Sequence, residues 1–396
     1  MIAAGPPGSV HRPEDVSAEW LTSVLAQAGV LAEGRVAHSV STGPVGTGQM
    51  ADTVRVSYRL EPSDGDEHSV VAKFASADEQ SRSTGLMTRA YEIEVGFYAA
   101  VAGRVRARMP TCYLCEYEAD TGWFVILLED VIDGVQGDQL DGCDAEVAEA
   151  ALVEMAALHG PAWSDPHLAG LGWLQRGGPE ADRFLAGVVT PLWPGFVERY
   201  GSRIDPAHLE VCDHFIGVLG AWLAGRSAAT TVTHGDFRLD NLLFCPGQVR
   251  PYVVDWQTAA WGSAASDVSY FMGASLTVED RRCHGDDLLR AYHGALVAQG
   301  VTDYGLGQLE QDCRLMCFGG LLMTIGASML VGRTERGDEM FVTNLGRYAQ
   351  QALDLDAEAV LPGPTTIVVH QVTPRLGYRP IRAYPATAPS SDTKSR

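Results

Sequence analysis

The stretch THGDFRLDNLLF, residues 233–244, crowds chemistry into one turn. Asp236 and Asn241 stand as D-x-x-x-x-N, with His234 and Arg238 beside them and an apolar, strand-like run behind. Asp255 follows in VVDWQ. An amide and a carboxylate are oxygen donors of the kind Mg²⁺ takes, and a further carboxylate can hold a hydroxyl nucleophile. The set suits phosphoryl transfer: one Asp orients the nucleophile, and an Asn plus an Asp serve the metal. A polar turn opening a hairpin would use the same residue types. The rest of the chain has to supply the phosphate-binding half.

Upstream, Lys73 in VVAKF lies mid-strand among apolar neighbours. An ammonium there is costly to bury unless paired; an edge-strand lysine facing solvent is the plainer alternative. Two glutamates follow in the helical YEIEVGFY. Glu94 is the favoured partner and Glu92 the alternative, because one sequence does not settle the helical phase. GPVGTGQMADTV puts Gly43, Gly46, Thr47 and Gly48 between two strands, where backbone N–H groups can approach phosphates. No GK[ST] follows, so this is no Walker A loop. It fits G-x-G-x-x-G-x-V only in part, since Ala51 stands at the third Gly and Val54 comes one place late. A simple hairpin turn competes with that reading.

These residues need elements to position them. Ser17 and the stripe Trp20, Leu21, Val24, Leu25 predict a helix over 13–29, closed by Gly29. Alternation predicts strands in RVAHSVSTGPVGTG, ADTVRVSYRLE and HSVVAKFAS, then in TCYLCEYEA and GWFVILLEDV. One helical pattern, residues 83–105, separates the two groups. A helix with Asp144 as N-cap and Gly160 beyond its end opens a helical region, continued over roughly 180–225, 279–299 and 307–358. The expectation is an α+β, two-lobed fold. Residues 1–130 form a small β-rich nucleotide-binding lobe, 131–361 a larger, mainly helical lobe, and 362–396 a Pro-rich basic tail, partly disordered.

Composition narrows the partners. Lys plus Arg total 29 against 50 Asp plus Glu, a net charge of −21. That argues against general nucleic-acid binding and against docking on anionic lipid, while an acidic body attracts Mg²⁺ or a cationic substrate. The N-terminus has no basic region leading into an apolar core, so no signal peptide is expected. CFGGLLMTIGASMLVG, residues 317–332, falls short of the ~20 residues that span a bilayer and reads as a buried helix. The expectation is a cytoplasmic protein without a membrane partner, monomer or homodimer, in which TTIVVHQV could add to a neighbour's sheet edge. Cys112 with Cys115, and Cys313 with Cys317, make zinc conceivable. However, CYLC alternates as a strand does and has no His nearby, so reduced thiols are preferred.

In its order of glycine loop, strand lysine, helix glutamate, linker, HGDxxxxN and DW, the chain resembles the aminoglycoside phosphotransferase and choline kinase group of the protein-kinase-like fold. The nearest likeness is to bacterial members of the ecdysteroid kinase-like family. VVAKF, LLEDV, AALHGPAW, HGDFRLDNLLF and VVDWQTAAWGSAASDVSYFMGASL carry it, across roughly residues 15–360. The resemblance implies ATP and Mg²⁺ as cofactors. It implies that Asp236 aligns the acceptor hydroxyl, His234 supports the loop, and Asn241 and Asp255 hold the metal. Lys73, held by Glu94, would contact the α/β phosphates, and main-chain groups around Glu129 to Val131 would bond adenine. Asp267 would brace the catalytic loop, and Trp256 replaces the Phe of a DFG triplet. Arg238 sits where protein kinases carry a Lys that contacts the transferred phosphate; a salt bridge to Asp240 or to a helix carboxylate is the equal alternative. The implied activity is phosphorylation of a small-molecule hydroxyl on a natural product, sterol-like alcohol or antibiotic. A cationic, aminoglycoside- or choline-type acceptor is one alternative, and a nucleotide-binding protein without turnover is another. No APE motif follows Asp255, so a protein acceptor is not expected.

Overall fold

A computed structural model describes residues 10–45, 50–175 and 177–363. The glycine-loop positions Gly46, Thr47 and Gly48, the segment TTIVVHQV and all but the start of the 362–396 tail lie outside the described residues. The fold is α+β, with a β-rich N-terminal part and a helical C-terminal part.

The N-terminal part is built on one antiparallel sheet. Its strands are β1 (Val36–Pro44), β2 (Ala51–Glu61), β3 (His68–Ala75), β4 (Cys112–Tyr117) and β5 (Phe124–Glu129), in the order β1-β2-β3-β5-β4. Side chains alternate between the faces of a strand, and β5 shows what each face does. Val125 and Leu127 join Val54, Val56, Val70, Ala72 and Phe74 under α1 (Ala18–Gln27). Phe124, Ile126 and Leu128 face the other way, into the main core with Tyr91, Ile93 and Phe97. Lys73 lies between Ala72 and Phe74, so it points away from α1 toward that main core; its cross-strand partner is Ile126. The alternation that makes β3 a strand therefore aims one lysine at the helical part.

The expected helix over 13–29 is shorter: a 3₁₀ turn at Pro13–Asp15 precedes α1, whose cap is the Ser17 hydroxyl accepting from the Trp20 N–H at 3.1 Å. The single helix expected over 83–105 is broken. Helices α2 (Glu79–Met87) and α3 (Ala90–Gly96) are separated by Arg89, whose φ of +60° is left-handed and interrupts the hydrogen-bond ladder. The restart turns Ala90, Tyr91, Ile93 and Glu94 inward. A π-helical turn, Phe97–Val101, then carries the chain toward β4.

The C-terminal part opens with the short β6 (Val135–Gln136) and α4 (Ala145–His159), capped by Asp144 at 2.9 Å to the Val147 N–H. Helices α5 (Pro166–Ala169), α6 (Pro179–Val189), α7 (Trp193–Tyr200) and α8 (Pro206–Ala224) follow. Four short strands come next: β7 (Thr231–Thr233), β8 (Leu242–Phe244), β9 (Tyr252–Val253) and β10 (Ala260–Gly262). Helices α9 (Ala264–Ala274), α10 (Val278–Ala298), α11 (Leu306–Met316), α12 (Gly319–Leu330) and α13 (Glu335–Asp354) complete it. The stretch Leu306–Leu330 has the length and composition of a membrane-crossing helix. It is interrupted at Cys317–Phe318, and Leu321, Leu322 and Ile325 are packed in the main core. The eight cysteines are all unbridged, and among the described residues no group of three or more His, Cys, Asp or Glu is placed to hold a metal.

Candidate active site

Strand pairing brings the site together. β8 pairs antiparallel with β9, and β10 with β7. The loop entering β8 and the loop leaving β9 therefore emerge at the same end of that hairpin. The first carries His234 to Asn241, the second Asp255 to Thr258. The Val254 N–H bonds to the Asn241 carbonyl at 3.0 Å, which ties the loops at their bases.

The first loop is held from below by Asp267, on the first turns of α9. Its carboxylate accepts from the main-chain N–H of His234 at 2.6 Å and of Gly235 at 2.9 Å, and from His159 Nε2 at 3.3 Å. His159 Nδ1 in turn faces the Tyr292 hydroxyl at 2.8 Å. Asp267 is fully buried, and burial acts to raise its pKa. The His159 bond, the nearby His159 and His234 rings and the loop N–H outweigh that and hold it below the ordinary 3.8. His234 is likewise buried. Its Nε2 donates to the Val254 carbonyl at 3.0 Å, so Nδ1 is left to accept from the Asp236 N–H at 3.2 Å. The ring spans the two loops in one tautomer.

Gly235 between them has φ +80°, and a Cβ there would stand 2.5 Å from the Thr258 carbonyl oxygen. Gly235→Ala is expected to destabilise the protein by at least ~2 kcal/mol, from left-handed strain and backbone collision together. Thermal unfolding against wild type measures it, and an unchanged Tm would contradict the loop packing described.

Asp236 collects three donors. Tyr270 OH bonds Oδ1 at 2.8 Å, while Arg238 Nε and Asn241 Nδ2 bond Oδ2 at 3.1 and 3.0 Å. Asn241 Nδ2 also donates to the Asp236 main-chain carbonyl at 2.9 Å. With its amide nitrogen so committed, Asn241 has its carbonyl oxygen to offer a ligand. Arg238 Nη1 bonds Asp240 at 2.6 Å. Burial works against the Arg238 charge, but Asp236, Tyr270 and Asp240 outweigh it and raise its pKa. Of the two roles open to Arg238, this arrangement displays the ion pair with Asp240. Asp240 also accepts from the Gln139 N–H at 3.1 Å and lies 3.6 Å from Arg336.

On the sheet side, Lys73 Nζ lies 2.6 Å from Glu94 Oε1 and 3.1 Å from Asp255 Oδ1. Glu92 is turned outward and pairs with Arg89 at 2.8 Å. Burial opposes the Lys73 ammonium, yet Asp255 and Glu94 together raise its pKa, so it is charged at neutral pH. Burial pushes the Glu94 carboxyl up, with Lys73 pulling against it. Asp255 has φ +69°, a left-handed backbone rare for a side chain other than Gly, Asn or Asp. Its Oδ2 accepts from Gln257 Nε2 at 3.2 Å. The adjacent Trp256 is buried, stacked 3.8 Å from Phe97 and leaning on His234 at 4.7 Å. One indole thereby joins the end of α3 to the catalytic-loop candidate.

The linker residues bond elsewhere, to the sheet and within their own turn. The Glu129 carboxylate bonds the Thr111 N–H and hydroxyl at 3.0 and 2.8 Å. The Val131 carbonyl accepts from the Gly134 N–H at 2.9 Å, forming a tight turn. Asp130 between them is clamped to the sheet by Arg55 and Ser69, both at 2.6 Å.

Tyr270, Gln257 and Gln139 were not anticipated. Tyr270 had a signal: it lies one helical turn after Asp267, and positions three apart share a helix face. Gln139 had none, since it meets Leu239 and Asp240 from a hundred residues away.

Comparison with known proteins adds the following. A family model described as the ecdysteroid kinase-like family matches residues 197–301, about a quarter of the chain. Mouse acyl-CoA dehydrogenase family member 10 is 32% identical over 98 residues, which is 23% of this chain and 8% of that protein; the chain thus spans a small fraction of that relative's length. A Ralstonia eutropha JMP134 protein assigned as an aminoglycoside phosphotransferase superposes with TM-score 0.47 at 18% identity, covering 84% of this chain and 97% of that one. Plasmodium vivax ethanolamine kinase gives 0.47 at 11%, covering 82% and 87%. The matched segment holds His234, Asp236, Asn241, Asp255 and Asp267 together, and over it the chain is similar to the ecdysteroid kinase-like family, in keeping with the phosphotransferase resemblance of its motifs.

Proposed function

We propose that the protein is an ATP-dependent O-phosphotransferase that moves the γ-phosphate to a hydroxyl of a small molecule. The observation that carries this reading is Lys73 bridging Glu94 and Asp255, with Asp236 and Asn241 presented on the neighbouring loop. Lys73 supplies a fixed positive charge for the nucleotide phosphates, held at its place by a buried carboxylate. Asn241 Oδ1 and the Asp255 carboxylate are hard oxygens on adjoining loops, and two protein ligands completed by phosphates and water are what Mg²⁺ commonly takes. When bound, the metal would neutralise charge on the transferring phosphoryl group. Asp236 orients the acceptor hydroxyl and accepts its proton as the oxygen attacks phosphorus. Direct transfer within a ternary complex follows, without a phospho-enzyme.

A small acceptor is supported by the connection after Asp255. The chain passes through β10 into α9 at Ala264, which leaves no long segment against which a polypeptide could lie.

Nucleotide binding with and without Mg²⁺, and ADP release across aminoglycosides, macrolides, sugars, choline-like and sterol-like alcohols, test the reading. Asp255→Ala is expected to lower turnover by at least ~10²-fold, the metal supplying several kcal/mol of charge stabilisation, with no full rescue by excess Mg²⁺. A purified chain that bound no nucleotide would end the proposal.

A further inference from the structure

Asp236 is closed in an unequal way. A carboxylate offers about four lone-pair positions, and three are taken. Arg238 and Asn241 share Oδ2, and each is anchored a second time, Arg238 on Asp240 and Asn241 on the Asp236 main chain. Oδ1 takes its donor from another element: the Tyr270 hydroxyl on α9, at 2.8 Å. Burial, with Asp236 close by, lifts the Tyr270 phenol well above 10, so it is a neutral O–H donor. One donated proton and two lone pairs are also what an alcohol acceptor presents. The ring is placed by packing as well as by this bond, since it leans on Tyr348 at 5.4 Å. Tyr348 in turn fits against α9 so closely that a Cβ on Gly273 would lie 2.5 Å from its ring.

We propose that the Tyr270 hydroxyl occupies the acceptor's place on Asp236 Oδ1 and competes with water for it until an acceptor displaces it. This rests on the phosphotransferase reading above. The reaction it suppresses is hydrolysis: a water oxygen bonds the γ-phosphorus, the bond to the β-bridging oxygen breaks, and the water proton passes to Asp236. The products are ADP and inorganic phosphate. With Tyr270 donating into Oδ1, one of the two lone pairs left to receive the proton is filled.

The test needs no knowledge of the acceptor. ADP release from MgATP alone is measured for the full chain, for Tyr270→Phe and for Tyr348→Phe, with nucleotide affinity measured alongside. Tyr270→Phe is expected to raise acceptor-free hydrolysis by about 5–20-fold, a part of the 10²–10⁴-fold that a positioned base supplies. Adding Asp236→Asn should remove the gain, and Tyr348→Phe should show none. Lost packing alone would lower the rate, so a rise separates the two roles. If Tyr270→Phe does not fold, Tyr270→Met carries the same expectation. Normal nucleotide affinity with an unchanged or lower rate overturns the cap and leaves the phosphotransferase reading standing. A wild-type chain that binds no MgATP overturns both.

Discussion

Asp236→Asn is expected to reduce phosphoryl transfer by about 10²–10⁴-fold, the range a positioned general base contributes, with ATP affinity changed only a few-fold. The two effects separate because, in the proposed reading, Asp236 serves the acceptor while Lys73 on the sheet serves the phosphates. The substitution should also fold. The Asn carbonyl can accept from Arg238 and Asn241 as the carboxylate does, and its amide can donate to the Tyr270 oxygen. ADP release with a responsive acceptor, set against calorimetric nucleotide binding, gives both quantities. Turnover within tenfold of wild type would show that the acceptor proton goes elsewhere.

Asp267→Ala is expected to be among the most destabilising single changes in the chain, by about 3–5 kcal/mol, as for removing one member of a buried charged network. Two main-chain N–H groups and a histidine would be left buried without their acceptor. The loop carrying Asp236 loses its floor, so the proposed activity should fall with Tm. Asp267 also sets a sign for acid. Its folded pKa is depressed, so its contribution is fully present above the unfolded value near 3.8 and disappears as pH falls through the lower folded value. In Asp267→Ala the loss of stability between pH 4 and 2 should be shallower than in wild type. A variant with wild-type Tm and the same acid profile would contradict the bracing role.

Much of the scaffold was legible because its signals are local. β2 and β3 lie where alternation places them, and α4 starts at its Asp144 cap. The errors have local physical causes too. Nothing in STGLMTRAYEIEV announces that Arg89 takes a left-handed backbone, and that residue divides the expected helix. The same break fixes which glutamate faces inward, a question that periodicity left open between Glu92 and Glu94.

The sequence by itself determined the chemistry on offer: which carboxylates, amide and lysine exist, their order along the chain, and the strands and loops that carry them. Residue type and hydrophobic period act over a few positions, so a single chain displays them. Only the tertiary structure decided the company each group keeps. Lys73 meets Asp255 across 182 residues, Arg336 reaches Asp138 across 198, and Tyr270 arrives at the Asp236 loop from α9. Those meetings follow from how the sheet and helices pack, and no local propensity encodes them.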